Sequence, residues 1–140
     1  MKKEIKVGAG AIIIKGKKTL LTLRKNSHGH GEYGSIGGHV EYGEHPTEAL
    51  KREAKEELNI ELHKFKFLHC LSMVKYGKQY IDVTFTAQIK SGIPKISEPD
   101  FIADVSWYPI ASLPSPLFEP VRIAFEALKK KKNYFEVKDF

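Results

Sequence analysis

Residues 37–60 read "GGHVEYGEHPTEALKREAKEELNI" and place five acidic residues after Gly43. Three of them, Glu53, Glu56 and Glu57, fall within little more than one helical turn. Pro46 suits a first helical position, residues 49–58 are mostly good helix formers, and Asn59 tolerates the left-handed conformation that ends a helix. The segment therefore predicts a helix from Pro46 that stops at Asn59. With Glu53 at zero and about 100° per residue, Glu56 falls near −60° and Glu57 near +40°. Leu50, Ala54 and Leu58 form an apolar stripe at about 60–140°. The carboxylates thus border the face that must be buried. A solvated acidic face would pair each glutamate with a basic residue four positions on. Arg52 can reach Glu56, but Glu53 meets Glu57, a like-charge pair that costs about 0.2–0.5 kcal/mol on a helix. The helix dipole adds to the penalty, because these charges lie in its second half. A bound cation would relieve both, and a tight oxygen-only cluster suits Mg²⁺ or Mn²⁺ rather than zinc.

The residues ahead of the helix fit the same purpose. Gly37 and Gly38 free the backbone for close approach, so their peptide groups can face an ion or a phosphate. Gly43 permits a turn, and Glu44 is placed to reach Arg52 and fix the loop against the helix.

Further out, the pattern is rich in strands. "IKVGAGAIIIK" and "TLLTLR" read as a hairpin joined by "GKK". "KNSHGHGEYGSIGG" reads as loop. "ELHKFKFLHCLSMVKY" reads as a strand, with a turn at "KYGKQ". "YIDVTFTAQI" alternates, with Ile81, Val83, Phe85, Ala87 and Ile89 on one face and Tyr80, Asp82, Thr84, Thr86 and Gln88 on the other. "SGIPKISEPD" and "SLPSPLF" are proline-punctuated loops around the strand "FIADVSWYPI". Pro120 then suits a first helical position and opens "VRIAFEALKKKK". Two helices among many strands suggest a mixed sheet with helices on its faces.

The totals set bounds. The 140 residues match one domain with its own core, and 41% hydrophobic with 29% charged residues is the balance of a globular protein. No apolar run approaches a membrane span, and the N-terminal residues lack a signal-peptide core. One cysteine, Cys70, excludes an internal disulfide and suits a reducing cytoplasm. Residues 129–132 supply four of the six net positive charges, and they read as a solvated helix end rather than a nucleic-acid surface. His28, His30, His39 and His45 surround the glycine-rich loop, but neither their spacing nor a cysteine partner points to zinc. His28 or His30 could instead meet a substrate phosphate.

Gly38, Glu44 and the run Arg52-Glu53-Ala54-Lys55-Glu56-Glu57-Leu58-Asn59-Ile60 resemble the Nudix box of hydrolases acting on nucleoside-diphosphate-linked compounds. The resemblance departs at Asn59, where the family usually has glycine, and at Ile36, where a proline often precedes the paired glycines. It implies a Nudix-type α/β/α sandwich, with a mixed β-sheet between helices, as a single domain over residues 1–140. It also implies attack of water at phosphorus, with Mg²⁺ (or Mn²⁺) held by Glu53, Glu56, Glu57 and the Gly37 carbonyl. Either Glu53 or Glu56 would orient or deprotonate the water. Gly38, Glu44 and Arg52 would be structural support. The second half of the chain resembles MutT-like members acting on nucleoside triphosphates. That comparison brings Arg24 toward phosphates, Thr84 and Phe118 to the border of the base, and Glu119 to a purine edge. Glu98 or Asp100 would add a metal ligand or only shape a turn.

The resulting expectation is a cytoplasmic, Mg²⁺-dependent hydrolase cleaving nucleoside or deoxynucleoside triphosphates to monophosphate and pyrophosphate, in the manner of a nucleotide-pool cleanser. ADP-ribose or a dinucleotide polyphosphate is the alternative substrate, and a non-catalytic nucleotide- or RNA-binding module the alternative role. The expected partner is a small nucleotide, without nucleic acid or membrane, and a homodimer is compatible with the sequence.

Overall fold

The computed structural model describes residues 3–75 and 77–139; Tyr76, in the turn expected between the two long strands, lies outside them. Strands β1 (Ile5–Lys15) and β2 (Lys18–Arg24) form the expected hairpin, turning at Gly16 with φ +61°. The segment read as loop from 25 to 38 contains two short strands, β3 (Tyr33–Gly34) and β4 (Ile36–His39). Glycines argue against a strand on propensity alone. Pairing overrides it here, because β4 lies antiparallel to β1 with Gly37 opposite Gly10 and Gly38 opposite Ala9.

Helix α1 (Pro46–Leu58) follows, then β5 (Glu61–Lys75), β6 (Lys78–Ser91), β7 (Ile102–Pro109), α2 (Glu119–Lys130) and β8 (Tyr134–Lys138). Helix α2 begins one residue before Pro120, and Lys131 caps its C-terminus with φ 54°. The lysine run is thus an exposed helix end, with Lys130 paired to Glu126 at 3.0 Å. Strand β8 has no counterpart in the sequence reading. Its alternation rests on Phe135 and Val137 alone, which pack with Leu71, Met73 and Ile123.

The sheet is mixed: β1 runs parallel to β6 and β5 parallel to β8, while the other pairings are antiparallel. Along β1 the side chains divide between two cores, as strand geometry requires. Ala9, Ala11 and Ile13 pack with Leu50, Ala54 and Leu58 of α1. Ile12 packs with Val121, Ala124 and Phe125 of α2. One helix therefore covers each face, and the fold is the expected α/β/α sandwich. Among the described residues no helix is long and apolar enough to cross a membrane.

Candidate active site

Helix α1 is built to hold its carboxylates against the sheet. The Glu48 carboxylate accepts the His45 backbone N–H at 3.0 Å at its start, and Asn59 closes it in the left-handed conformation (φ 55°, ψ 42°). The last carbonyls are also used: Glu57 O accepts from Ser97 N, and Leu58 O from Lys95 N, both at 2.9 Å. These bonds bring the loop carrying Glu98 against the helix end. Leu50, Ala54 and Leu58 are buried as the wheel requires, and Ala49 is buried with them.

Arg52 organises the cluster. Its Nε and Nη2 donate to both oxygens of Glu44, at 2.9 and 3.1 Å. Nη1 donates to Glu53 Oε1 at 3.0 Å and lies 3.5 Å from Glu56 Oε2, while Nη2 also donates to the His39 carbonyl. The bond from Arg52 holds the Glu44 carboxyl below its ordinary value, and Glu44 in turn raises the guanidinium above its own. Glu44 also accepts the Glu41 backbone N–H at 2.9 Å, which ties the loop ahead of the helix. Glu53 lies directly against Gly38, where a Cβ would overlap its carboxylate. Glycine at 38 is what allows that approach.

Glu57 is the most deeply placed of the three. One of its oxygens is buried and, among the described residues, has no hydrogen-bond partner. Burial raises its pKa strongly, the adjacent Glu53 and then Glu98 add to the rise, and Arg24 opposes it. Glu98 is itself raised by burial and by the charges of Glu53 and Glu56. Of the two loop acids, Glu98 therefore stands at the cluster; the Asp100 carbonyl accepts a bond from the Asn26 side chain. Among the described residues no three His, Cys, Asp or Glu side chains are already drawn together as a cation cage. The donors nevertheless fit a hard divalent ion: all are oxygens, one is orphaned in the interior, and Glu56 stands half-exposed one turn along, beside Arg52.

A cavity of about 330 Å³ opens beside this cluster, on the α2 side of the sheet. Gly8, Gly10, Asp82 and Thr84 form its floor, Gly37, Gly38 and His39 one border, and Phe118, Pro120 and Val121 the opposite wall. Arg24 and His28 line it as well. The Arg24 guanidinium lies 3.9 Å from the Phe118 ring centre, in cation–π contact, and its Nε donates to the His28 carbonyl at 3.0 Å. Arg24, Thr84 and Phe118, drawn from three distant parts of the chain, thus meet at one cavity. Glu119 does not line it. Its carboxylate is gripped instead by Arg122, at 2.8 and 3.1 Å, the usual (i, i+3) partner on a helix.

Sequence reasoning gave Asp82 a face but no place. Its carboxyl stands on the cavity floor, and burial raises it to about 6. The only signal available was the alternation of residues 80–89, which read Asp82 as belonging to the polar face.

Known proteins place these features in context. The NUDIX domain model matches residues 4–128. The crystal structure of a MutT NUDIX hydrolase from Burkholderia pseudomallei is 32% identical and superposes with a TM-score of 0.85, covering 90% of this chain and 99% of that one. The human 8-oxo-dGDP phosphatase NUDT18 is 39% identical over 87 residues; the match takes in 57% of this chain and spans only 24% of that protein's length. A UDP-X diphosphatase shares the fold at 21% identity, with a TM-score of 0.74 over 97% of this chain and 68% of its own. By the family model across most of its length and by its likeness to the Burkholderia enzyme, the chain belongs to the Nudix family of hydrolases.

Proposed function

We propose that this chain hydrolyses nucleoside triphosphates with a divalent metal ion, adding water at phosphorus to release a nucleoside monophosphate and pyrophosphate. The observation that carries the reading is the adjoining of two features: an acidic cluster tied by Arg52 and a cavity whose wall holds the Arg24–Phe118 pair. A base and its phosphates need such neighbours, one apolar and concave, the other able to hold cations.

Glu53, Glu56 and Glu57 with the Gly37 carbonyl would hold Mg²⁺, with Mn²⁺ as substitute and Glu98 as a further carboxylate. The ion supplies charge neutralisation on the diphosphate and a more acidic water. Glu53 or Glu56 would orient the attacking water and take its proton. Arg52 and Glu44 keep Glu53 in position, and Gly38 gives it room. Arg24 meets phosphate oxygens at the cavity edge. Release of pyrophosphate, with the proton left on the base, balances the hydrolysis.

A second reading replaces the triphosphate by a nucleoside diphosphate, with orthophosphate as leaving group. The activity named for the human relative favours it. One experiment ranks the two: incubate purified protein with nucleoside tri- and diphosphates, ADP-ribose and dinucleotide polyphosphates, with and without Mg²⁺, and identify the released anion. Glu53→Gln should lower kcat at least ~10²-fold, the scale of losing a positioned base. Absence of metal-dependent hydrolysis across the whole panel would sink both readings.

A further inference from the structure

Two loops meet beside the acidic cluster, and each serves a different half of the site. Residues 25–32 join β2 to β3; Arg24, just ahead of them, and His28, among them, line the cavity. Residues 92–101 join β6 to β7 and carry Glu98. The second loop is pinned to α1 just before Glu98, where Ser97 N–H donates to the Glu57 carbonyl at 2.9 Å. The Glu98 carbonyl then accepts the N–H groups of Phe101 and Ile102, both at 3.0 Å, which closes the segment into a turn.

The far end of that turn is held by the first loop. The Asn26 side-chain amide donates to the Asp100 carbonyl at 2.8 Å, and Lys25 N–H donates to the Phe101 carbonyl at 3.0 Å. A backbone N–H serves at position 25, whereas the bond to Asp100 needs the side chain at 26. Asn26 also holds a left-handed backbone (φ 58°), which costs most residues other than glycine free energy and asparagine least. Its own N–H donates to His30 Nδ1 at 2.9 Å, which tightens the bend that presents the amide. One exposed hydrogen bond adds little net stability. Its place beside the site points instead to what it positions.

Between the two pins lies Glu98. Its carboxyl stands near enough to Glu53, Glu56 and Glu57 for their charges to act on one another. Carboxylates repel, so an unpinned loop would carry its member away from the other three. Holding the turn at both ends resists that.

We propose that Asn26 is a positioning residue: by tying the Glu98 turn to the loop beside Arg24 and His28, it keeps Glu98 within reach of the divalent ion. The inference rests on the reading above, in which the carboxylate cluster holds that ion.

The test compares wild type, Asn26→Gly, Glu98→Gln and the double variant, each as the full chain. Glycine keeps the left-handed backbone and removes only the amide. Mn²⁺ is titrated without nucleotide, free ion being followed by electron paramagnetic resonance, and the Mg²⁺ dependence of hydrolysis is measured alongside. Asn26→Gly should weaken Mn²⁺ binding about tenfold, the scale of losing a partner behind a metal ligand, with the melting temperature nearly unchanged. Glu98→Gln should weaken it at least as much, and the double variant no further, because one residue acts through the other. Binding by Asn26→Gly equal to wild type overturns the inference, and so does a double variant in which the two losses multiply. Hydrogen exchange on wild type supplies an arm that needs no variant. Mn²⁺ should slow exchange in residues 24–31 and 96–103 together; slowing of the second segment alone, or of neither, overturns the inference. Metal-dependent hydrolysis with no Asn26 dependence of ion binding would leave the reaction standing and remove the inference. Asn26-dependent Mn²⁺ binding without hydrolysis of any nucleotide would do the reverse.

Discussion

Arg52 uses its guanidinium fork in a way that no lysine can copy, since four of its contacts diverge to Glu44, Glu53 and the His39 carbonyl. If Glu53 holds the ion as proposed, Arg52→Lys should keep the fold and lower kcat by about 10–100-fold, the scale of changes behind a metal ligand. Steady-state kinetics beside a circular dichroism spectrum will check this; an unchanged kcat would mean that Glu53 needs no anchor. Gly38→Ala tests the same side chain from the other direction, because the added Cβ displaces the Glu53 carboxylate. It should cost kcat about tenfold or more, by loss of a positioned group, with little change in melting temperature. His69 poses a different residue-scale problem. It is fully buried against Phe135, and neither ring nitrogen has a hydrogen-bond partner among the described residues. Burial holds its pKa below the ordinary 6.5, which the Cys70 backbone opposes only in part. The unfolded chain therefore takes up a proton below about pH 6.5 that the folded chain refuses, and stability falls as pH falls from there. His69→Phe should flatten this acid-side slope in urea melts at pH 5, 6 and 7. A slope identical to wild type would rule out His69 as its source.

At the scale of elements, α1 is the best-specified part of the molecule. Its start, its stop at Asn59 and its buried stripe were all legible, because each depends on residues within one or two turns. The left-handed φ of 55° at Asn59 makes a local prediction. Asn59→Ala should destabilise by ~1 kcal/mol, the cost of a Cβ residue without local hydrogen bonding in that conformation, while Asn59→Gly should fall within about 0.5 kcal/mol of wild type. Thermal melts of both variants settle it, and an unaffected Asn59→Ala would show that the cap carries no strain. Strands β3, β4 and β8 were not legible. Two residues of "YG", four of "IGGH" and two apolar side chains in "YFEVK" carry too little periodicity; β2, β1 and β5 respectively supply the edges that make them strands. The pairing of Glu119 is local by contrast: its carboxylate is held by Arg122, three positions along its own helix.

For the whole molecule, the clustered carboxylates link stability to pH and, in the proposed function, to metal. Glu57 holds its proton to higher pH when folded than the ordinary carboxylate value of 4.5. Folding then takes up a proton above that value, so the metal-free protein loses stability as pH rises from about 4.5 toward the raised folded pKa. Melting temperatures of chelated protein should fall between pH 5 and pH 8. Mg²⁺ should restore them, by about 2.7 kcal/mol at a hundred times its dissociation constant. Glu57→Gln should flatten the chelated profile and lose most of the response to Mg²⁺. A wild-type profile that is flat, or that Mg²⁺ leaves unchanged, would contradict the proposal that Glu57 holds the ion.

The sequence by itself determined the grouping of the box, since Glu53, Glu56, Glu57 and Arg52 fall on one helix whose wheel follows from the backbone period. It also determined the class of fold, because strand alternation and helix periodicity are local. Only the tertiary structure decided which distant residues meet there. Arg24, Thr84 and Phe118 stand 34 or more positions from one another in the chain, and no local period links them. Asp82 shares its strand face with Thr84, yet a polar face read from alternation looks the same whether it meets solvent or a cavity. What makes it a cavity is the pairing of β1 with β4 and β6, which sets Gly8 and Gly10 beside it. That depends on long-range strand register, which is fixed by packing on both faces of the sheet and not by any one stretch of chain.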